Sequence, residues 1–258
     1  MADVNYALIT GASSGIGECF ARALAARGSN LVLVARSRDK LEALAIELRR
    51  EHSIRTEVLP EDLASEGSVA RLAASVNEQG VAIDLLVNDA GFGAGGEFTE
   101  LPLDRQVEMI NLNIRALVEL THFLARRMAG QRRGAIINVS STASFQPIPY
   151  TAVYAATKAF VTSFSLALEE ELRPLGIKVV TLCPGGTATK FWETGKYGKM
   201  GMPGGLQSAD EVVKEALKKL DSRGGLAVPR WINKLMVASL RITPRGIVIK
   251  AAGRMFRP

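Results

Sequence analysis

Tyr154 and Lys158 are the residue pair in this sequence best suited to proton transfer. They lie four positions apart in a segment with helical spacing, so they share one face and the ammonium group sits beside the phenol. An isolated tyrosine has a pKa of about 10, and a neighbouring cation lowers it by favouring the phenolate. The pair therefore predicts a general acid/base. Such a spacing also occurs on solvated helix faces, so its meaning depends on its neighbours.

Ser141 is the first of these neighbours. It lies thirteen residues before Tyr154, just past the apolar run IINVS. Loops at the carboxyl ends of parallel strands build active sites in doubly wound sheets. We therefore expect Ser141 to face the same site as Tyr154.

The segment TGASSGIG at 10–17 has the composition of a phosphate-binding loop. Its glycines, Gly11, Gly15 and Gly17, follow a predicted strand and open a predicted helix. Glycine permits a tight turn, lets backbone N–H groups approach a pyrophosphate, and leaves the helix N-terminus to meet the negative charge. A plain strand-to-helix turn would look similar by itself. The motifs that accompany this one favour a dinucleotide site.

Arg36 predicts which dinucleotide is bound. About 20 residues after the glycine loop, an NAD enzyme places an acid that holds the adenosine ribose hydroxyls. Here the second predicted strand ends in Ala35-Arg36. A cation at this point favours a 2′-phosphate, and hence NADP, over the alternative of an ordinary surface arginine.

The scaffold for these groups is predicted by the alternation of apolar runs with longer amphipathic stretches, the order of repeated βα units. The runs are continuous, as in central parallel strands covered on both faces. We predict a single doubly wound, Rossmann-like three-layer α/β/α domain over 1–230, with a basic amphipathic extension of the same domain over 231–258. The predicted strands are YALIT, NLVLVA, TEVLP, IDLLVN, GAIINV, IKVVTLC and LAVPRW. The predicted helices are 15–27, 38–51, 66–79, 104–129, 152–173 and one opened by the capping box Ser208-x-x-Glu211.

The amino-acid composition excludes several other classes of protein. With 47% apolar and 22% charged residues, the 258-residue chain is neither disordered nor fibrous. Two cysteines cannot make a disulfide framework, and two histidines supply metal chemistry poorly, so we expect no metal and a reduced, cytoplasmic setting. No signal peptide or transmembrane run is evident, and we expect no nucleic-acid partner.

The motifs together resemble the short-chain dehydrogenase/reductase family in its compact, single-domain form. The resemblance covers roughly residues 4–192 and keeps the family's order and spacing. One departure is visible, since the family usually has Asn-Asn-Ala-Gly where this chain has Asn88-Asp89-Ala90-Gly91. The matching pieces are TGASSGIG at 10–17, Asp62 after the third strand, LVNDAG at 86–91, Asn113 in INLNIRA, NVSS at 138–141, YAATK at 154–158 and PGGTAT at 184–189.

This resemblance implies an oxidoreductase that transfers a hydride between NADP(H) and a carbonyl or alcohol. It implies that Ser141 hydrogen-bonds the substrate carbonyl and that Tyr154 gives or takes the proton. Lys158 would lower the tyrosine pKa and hold the nicotinamide ribose, and Asn113 would position a water in a proton relay. The implied cofactor-binding residues are Gly11, Ser13, Ser14, Gly15, Ile16, Gly17, Arg36, Asp62, Leu63, Asn88, Ala90, Gly91, Tyr154, Lys158, Pro184, Gly185, Thr187 and Thr189.

The expected substrate is an apolar ketone, aldehyde or alcohol, because the candidate walls of its site combine aromatics with little charge. These walls are 92–98, 145–150 and 191–206. The segment 195–205 has the composition of a mobile lid, and a disordered loop without function is the alternative. Ordinary core packing is the alternative for the aromatics. A non-catalytic NADP-binding sensor or scaffold is the alternative function, although all four catalytic positions are intact.

Two surfaces predict partners. Apolar residues on 154–172, namely Ala155, Phe160, Phe164 and Leu168, together with the 109–129 helix, predict a homo-oligomer. Residues 222–258 hold eight bases and no acid, which leaves 24 bases against 26 acids elsewhere. Pro244-Arg245-Gly246 should divide this tail into two short helices. It would pack over the substrate site, against a partner subunit, or weakly on an anionic membrane surface as a peripheral contact.

Overall fold

The computed structural model describes residues 6–195 and 205–257. Seven parallel strands form one sheet in the order β3-β2-β1-β4-β5-β6-β7. The described strands are β1 (Tyr6–Thr10), β2 (Asn30–Ala35), β3 (Thr56–Pro60), β4 (Ile83–Asn88), β5 (Gly134–Val139), β6 (Ile177–Leu182) and β7 (Gly225–Ala227). The predicted doubly wound α/β fold is confirmed.

Ten α-helices are described around this sheet. They are α1 (Gly15–Ala25), α2 (Arg38–His52), α3 (Ser68–Glu78), α4 (Leu103–Ile110), α5 (Leu117–Gln131), α6 (Ala152–Leu172), α7 (Phe191–Thr194), α8 (Ala209–Asp221), α9 (Trp231–Ser239) and α10 (Arg245–Phe256). None of the helices in the described ranges is long and apolar enough to cross a membrane.

The core lies on both faces of the sheet, which is why its strands are apolar without alternation. On one face, Ile9 and Leu33 pack with the apolar sides of α1, α2 and α8. On the other face, Leu8 and Val32 pack with α3 and α5, and Leu168 of α6 packs against the same cluster. Successive strand residues point to opposite faces, so each strand serves both halves of the core.

Two predicted elements differ from the structure. The helix predicted over 104–129 is two α-helices separated by a π-helical segment, Asn111–Ala116. The last strand, predicted over 226–231, covers only Gly225–Ala227, because the chain turns after it and α9 begins at Trp231. The capping box forms as predicted, with Ser208 and Glu211 each accepting a backbone hydrogen bond at the start of α8.

The tail forms the two predicted short helices, α9 and α10. Val237 of α9 packs with Cys183 and Val228, and Ala252 of α10 packs with Ile148 and Ala155. Ala155 is therefore buried inside the subunit, where the sequence suggested an exposed position for contact with a partner.

Candidate active site

A cavity of about 810 Å³ opens at the carboxyl ends of the strands. The chain runs outward from β1 to β3 and then returns to β4, so the strand order reverses between β1 and β4. The loops after these two strands diverge at that reversal and leave a crevice, which is where doubly wound sheets bind ligands. The loops after β2, β3, β5 and β6 and the tail helices complete the lining.

The glycine loop needs glycine for two separate reasons. Gly11 and Gly15 adopt positive φ angles of 73° and 62°, a region that side chains disfavour. Gly17 is instead required by packing, since a Cβ atom there would lie 2.5 Å from the Gly11 carbonyl oxygen. Of the predicted loop residues, Gly17 lies behind the cavity wall, while the wall itself is formed by Gly11, Ser13, Ser14, Gly15 and Ile16.

The start of α1 forms a candidate anion site at the cavity. Ser14 is the N-cap residue of α1 and makes no side-chain capping bond, so it leaves first-turn N–H groups uncapped beside the cavity. A helix N-terminus of this kind attracts phosphate through its dipole and its N–H groups. The loop therefore suits a pyrophosphate.

Arg36 follows β2 at the rim of the cavity, as the sequence predicted. Ser37 and Lys40 line the same part of the cavity. The Arg36 guanidinium lies 3.8 Å from Glu108, a long and exposed ion pair that holds it weakly. Two cations and a hydroxyl thus converge at the edge of β2, and Lys40 is a member that the sequence reasoning missed. Asp62 and Leu63, after β3, line the adjoining wall.

Asn88 lies behind the wall, whereas the family resemblance placed it along the cofactor path. Its Nδ2 atom donates to Thr121 Oγ1 and to Asn138 Oδ1, both at 2.9 Å. Asn138 in turn donates to Ser165 Oγ of α6 at 2.9 Å. This buried chain joins α5, β4, β5 and α6, so Asn88 fixes the strand ends from within. Ala90 and Gly91, by contrast, line the cavity.

Asn113 lies in the π-helical segment and holds the loop after β4. Its Oδ1 atom accepts from Phe92 N at 3.2 Å, and its Nδ2 atom donates to Phe92 O and to Thr157 Oγ1, each at 3.0 Å. A Cβ atom on Gly91 would meet that Oδ1 atom at 2.9 Å, so only glycine fits there. Asn113 itself is buried behind the wall and connects Gly91-Phe92 to α6. π-Helical turns frequently occur at functional sites.

Ser141, Tyr154 and Lys158 line one region of the cavity. The side chain of Ser141 hydrogen-bonds the Tyr154 phenol. The Lys158 ammonium donates to the Val139 carbonyl oxygen at 2.8 Å and lies 5.9 Å from the centre of the tyrosine ring. The backbone carbonyl of Lys158 accepts from Ser140 Oγ at 2.9 Å, which ties α6 to the end of β5.

The electrostatics of Tyr154 differ from the sequence prediction. Burial raises the pKa of Tyr154 to about 12, opposed by the Ser141 hydrogen bond and assisted by the nearby Asp89 charge. The Lys158 ammonium, which the sequence predicted to lower this pKa, donates its hydrogen bond to the Val139 carbonyl. Burial also lowers the pKa of Lys158 to about 8. At neutral pH the phenol is therefore protonated and is a proton donor.

Asp89 is the titratable group that the sequence did not single out as functional. Its carboxylate lies beside the glycine loop, where Gly17 N–H donates to it. Burial raises the pKa of Asp89 to about 7, while the Lys158 charge and the Gly17 bond oppose that rise. The only signal in the sequence was the departure from Asn-Asn-Ala-Gly. Thr10 Oγ1 fixes the backbone here, accepting from Asp89 N and Ala90 N at 3.0 Å each.

The loop after β6 forms another wall of the cavity and reaches the glycine loop, where a Cβ atom on Gly15 would lie 3.3 Å from Thr189 Cγ2. Pro184, Gly185, Thr187 and Thr189 all line it, as the resemblance implied. Trp192 Nε1 donates to the Thr187 carbonyl at 2.8 Å and so holds this loop in place. On the other side, a Cβ atom on Gly185 would clash with the side chain of Asn233 in α9, so the tail packs directly on the loop.

Apolar and aromatic groups form the remaining wall. Phe92 and Phe191 line it, and the ring of Phe191 lies 5.3 Å from that of Tyr154. Residues of α9, α10 and the turn between them extend it, among them Met236, Leu240, Val248 and Phe256. The tail thus occupies the first of its three expected positions. Most of the expected lid, residues 196–204, lies outside the described residues.

This fold and site define a dinucleotide-binding α/β protein with a Ser-Tyr-Lys constellation. The family model for short chain dehydrogenase matches residues 5–197. The chain belongs to the short-chain dehydrogenase family, an oxidoreductase family, and the resemblance seen in its motifs is confirmed.

Individual relatives agree with this assignment. The chain is 35% identical over 190 residues to the very-long-chain 3-oxoacyl-CoA reductase of Homo sapiens, which covers 72% of this chain and 60% of that protein. The chain therefore spans less than two thirds of the length of that relative.

Solved structures match over nearly the whole chain. A short-chain dehydrogenase from Sphingobium yanoikuyae in complex with NADPH is 35% identical, with a TM-score of 0.85 and 95% of both chains covered. A bulky-bulky ketone specific alcohol dehydrogenase from Comamonas testosteroni is 32% identical, with a TM-score of 0.79, covering 93% of this chain and 94% of that one.

Proposed function

We propose that this protein interconverts an apolar carbonyl compound and its alcohol with NADP(H), using Tyr154 as general acid/base. The observation that carries the proposal is that Ser141, Tyr154 and Lys158 line the same cavity as the glycine loop. A proton donor and a dinucleotide site in one crevice are what carbonyl reduction requires.

The cavity fits NADP. The glycine loop and the N-terminus of α1 suit a pyrophosphate, because they offer N–H groups and space without Cβ atoms. Arg36, Ser37 and Lys40 suit a 2′-phosphate. An NAD-specific site would instead carry an acid at this position, to hold the ribose hydroxyls. The NADPH complex of the Sphingobium relative supports the same choice.

Bound NADPH would supply the hydride, and the side chains supply position and a proton. Ser141 hydrogen-bonds the carbonyl oxygen of the substrate, a bond that strengthens as negative charge builds there. Tyr154 donates its phenolic proton to that oxygen, which becomes the alcohol hydroxyl. Lys158, fixed by Val139, then faces the phenolate as a counter-charge until the tyrosine is reprotonated. Oxidation of an alcohol reverses these roles.

The substrate class follows from the wall. Phe92, Phe191 and the apolar residues of α9 and α10 surround the catalytic groups, so a bulky apolar ketone, aldehyde or secondary alcohol fits the cavity best. Relatives named for a very-long-chain acyl substrate and for bulky ketones support this class.

The test is turnover of a panel of apolar carbonyls, followed by nicotinamide absorbance, with Tyr154→Phe beside the unmodified enzyme. We expect Tyr154→Phe to lower kcat by at least about a hundredfold with near-normal NADPH affinity, because one positioned proton donor is lost. Tyr6→Phe, a change in β1 away from the cavity, is the matched control. NADPH binding without turnover of any carbonyl by the unmodified protein would favour the alternative, a sensor or scaffold.

We further propose a homo-oligomer formed through α5 and α6. The rings of Phe160 and Phe164 stack at 5.7 Å on the outer face of α6, and Phe160 is 40% exposed. Such an aromatic pair on the surface of a subunit supports burial against a second copy.

A further inference from the structure

The tail carries several large apolar side chains that are mostly exposed in the described structure. In α9, Val237 points into the subunit, while Trp231 and Leu235 point away from it. Trp231 is 74% exposed, and Ile242, in the turn between α9 and α10, is 86% exposed. None of these three exposed side chains lines the cavity. These exposed apolar side chains are therefore separate from the substrate wall.

Exposed basic residues accompany these apolar side chains along the tail. Arg241, Arg245, Lys250 and Arg254 are all exposed on the turn and on α10. Lys234 and Arg230, at the start of the tail, form ion pairs with Glu215 and Glu211 of α8. Residues 222–258 contain no acid of their own.

The same helices form the rim of the cavity. Ile247 and Met255 line it, yet they are also 60% and 42% exposed. Val248, Ala252 and Phe256 also line the cavity and follow one another at four-residue intervals. Ala252 and Phe256 pack against Ile148 and Ala155. One side of α10 is therefore fixed to the catalytic domain while its other side faces outward.

We propose that the outer face of α9, the following turn and α10 is a docking surface for an anionic lipid bilayer. In this arrangement Trp231, Leu235 and Ile242 enter the interfacial region, and Arg241, Arg245, Lys250 and Arg254 contact the headgroups. Apolar residues flanked by cations are the pattern with which helices lie in a membrane interface. The docked face borders the mouth of the cavity, which then opens toward the lipid.

Charge favours a bilayer over a second copy of this chain. In a symmetric dimer the same patch lies on both subunits, so the tail cations of one copy would oppose those of the other. Like charges brought together across an interface are unfavourable. An anionic surface instead complements the whole set of cations.

Co-sedimentation with vesicles tests the proposal on the full chain. Vesicles of phosphatidylcholine with phosphatidylglycerol should pellet the protein at low salt, and high salt or pure phosphatidylcholine should reduce pelleting at least about fivefold. Two variants should each cause a similar loss: Trp231→Ser/Leu235→Ser/Ile242→Ser and Arg241→Gln/Arg245→Gln/Lys250→Gln. Matched controls on the exposed part of α2, Ile46→Ser and Arg38→Gln/Arg50→Gln, should pellet as the unmodified protein does.

A fluorescence readout tests the orientation. Trp231 emission should shift to the blue on anionic vesicles, and Trp231→Phe should lose the shift while still pelleting. The proposal is overturned if the unmodified protein stays in the supernatant at low salt. It is equally overturned if tail and control variants pellet alike, or if light scattering shows that the tail variants dissociate an oligomer, since that result assigns the surface to a second copy. None of these measurements depends on turnover, so the proposed docking surface and the proposed reaction are tested separately.

Discussion

The carboxylate of Asp89 lies against Gly17. Its Oδ2 atom is 2.8 Å from the position that a Cβ atom on Gly17 would occupy, and the Gly17 N–H donates to the carboxylate. The Asp89 carboxylate thus accepts a hydrogen bond from the N-terminus of α1, which forms the candidate pyrophosphate site. Its protonated form has an O–H donor and a carbonyl acceptor, which resembles the asparagine amide of the usual Asn-Asn-Ala-Gly motif.

Asp89 should make NADPH affinity depend on pH. Because its pKa is raised to about 7, the unbound protein loses this proton as pH rises through 7, and the new charge repels a pyrophosphate at the loop. Affinity should therefore fall with rising pH by up to about tenfold per pH unit relative to Asp89→Asn, since one proton is linked to binding.

The measurement is NADPH fluorescence titration of the unmodified enzyme and Asp89→Asn between pH 6 and 7.5. Lys158 is the cation that faces Asp89, and this range lies below its pKa of about 8. Both proteins share the titration of the cofactor phosphate, so the ratio of their dissociation constants removes that contribution. A ratio that does not change with pH would contradict the prediction.

Gly17→Ala should destabilise the fold. The new Cβ atom would lie 2.5 Å from the Gly11 carbonyl oxygen, a backbone atom that cannot move without distorting the loop. We expect a loss of about 1–3 kcal/mol in the free energy of unfolding, typical of overpacking, together with weaker NADPH binding.

Gly130→Ala is the control for that change. Gly130 lies in α5, and a Cβ atom there would meet nothing within 4 Å. Alanine should stabilise this helix by up to about 1 kcal/mol, because it removes the entropic cost of glycine. Urea denaturation measures the free energy of unfolding of both variants. If Gly17→Ala were as stable as Gly130→Ala, the loop would tolerate a side chain.

Cofactor choice should depend on the end of β2. The unmodified enzyme should prefer NADP(H) to NAD(H) in kcat/KM, and Ala35→Asp/Arg36→Ile should narrow or invert that preference through lost phosphate contacts and like-charge repulsion. Lys40→Ala should narrow it less. Arg38→Ile removes a neighbouring cation that pairs with Glu42 and serves as control. Comparable kcat/KM values for the two cofactors in the unmodified enzyme would refute the assignment.

Assembly should depend on the outer face of α6. Phe160→Lys places a charge within the proposed contact, so light scattering at micromolar concentration should show a smaller species than the unmodified protein. Ile46→Lys, at an exposed apolar position on α2, should leave the mass unchanged. A monomeric unmodified protein would end the proposal of a homo-oligomer.

Local pattern was sufficient for the fold and for most of the site. The strands β1 to β6 could be predicted because continuous apolar runs report burial on both faces of a sheet. The glycine loop, Arg36, and Tyr154 with Lys158 could be found because short-range geometry fixes their chemistry. The π-helical segment at 111–116 was not predictable, since its sequence has the same apolar period as the helices beside it.

What the sequence by itself determined about this protein is its family and the identity of its reactive groups, since both depend on residue types at short spacing. Only the tertiary structure decided their environments. The raised pKa values of Tyr154 and Asp89 arise from burial by distant segments, and Asn88 lies behind the wall because Thr121 and Asn138 bind its amide. The tail likewise became a cavity wall through long-range contacts between α10 and Ile148. Burial and packing depend on residues far apart in the chain, and no local pattern encodes which of them meet.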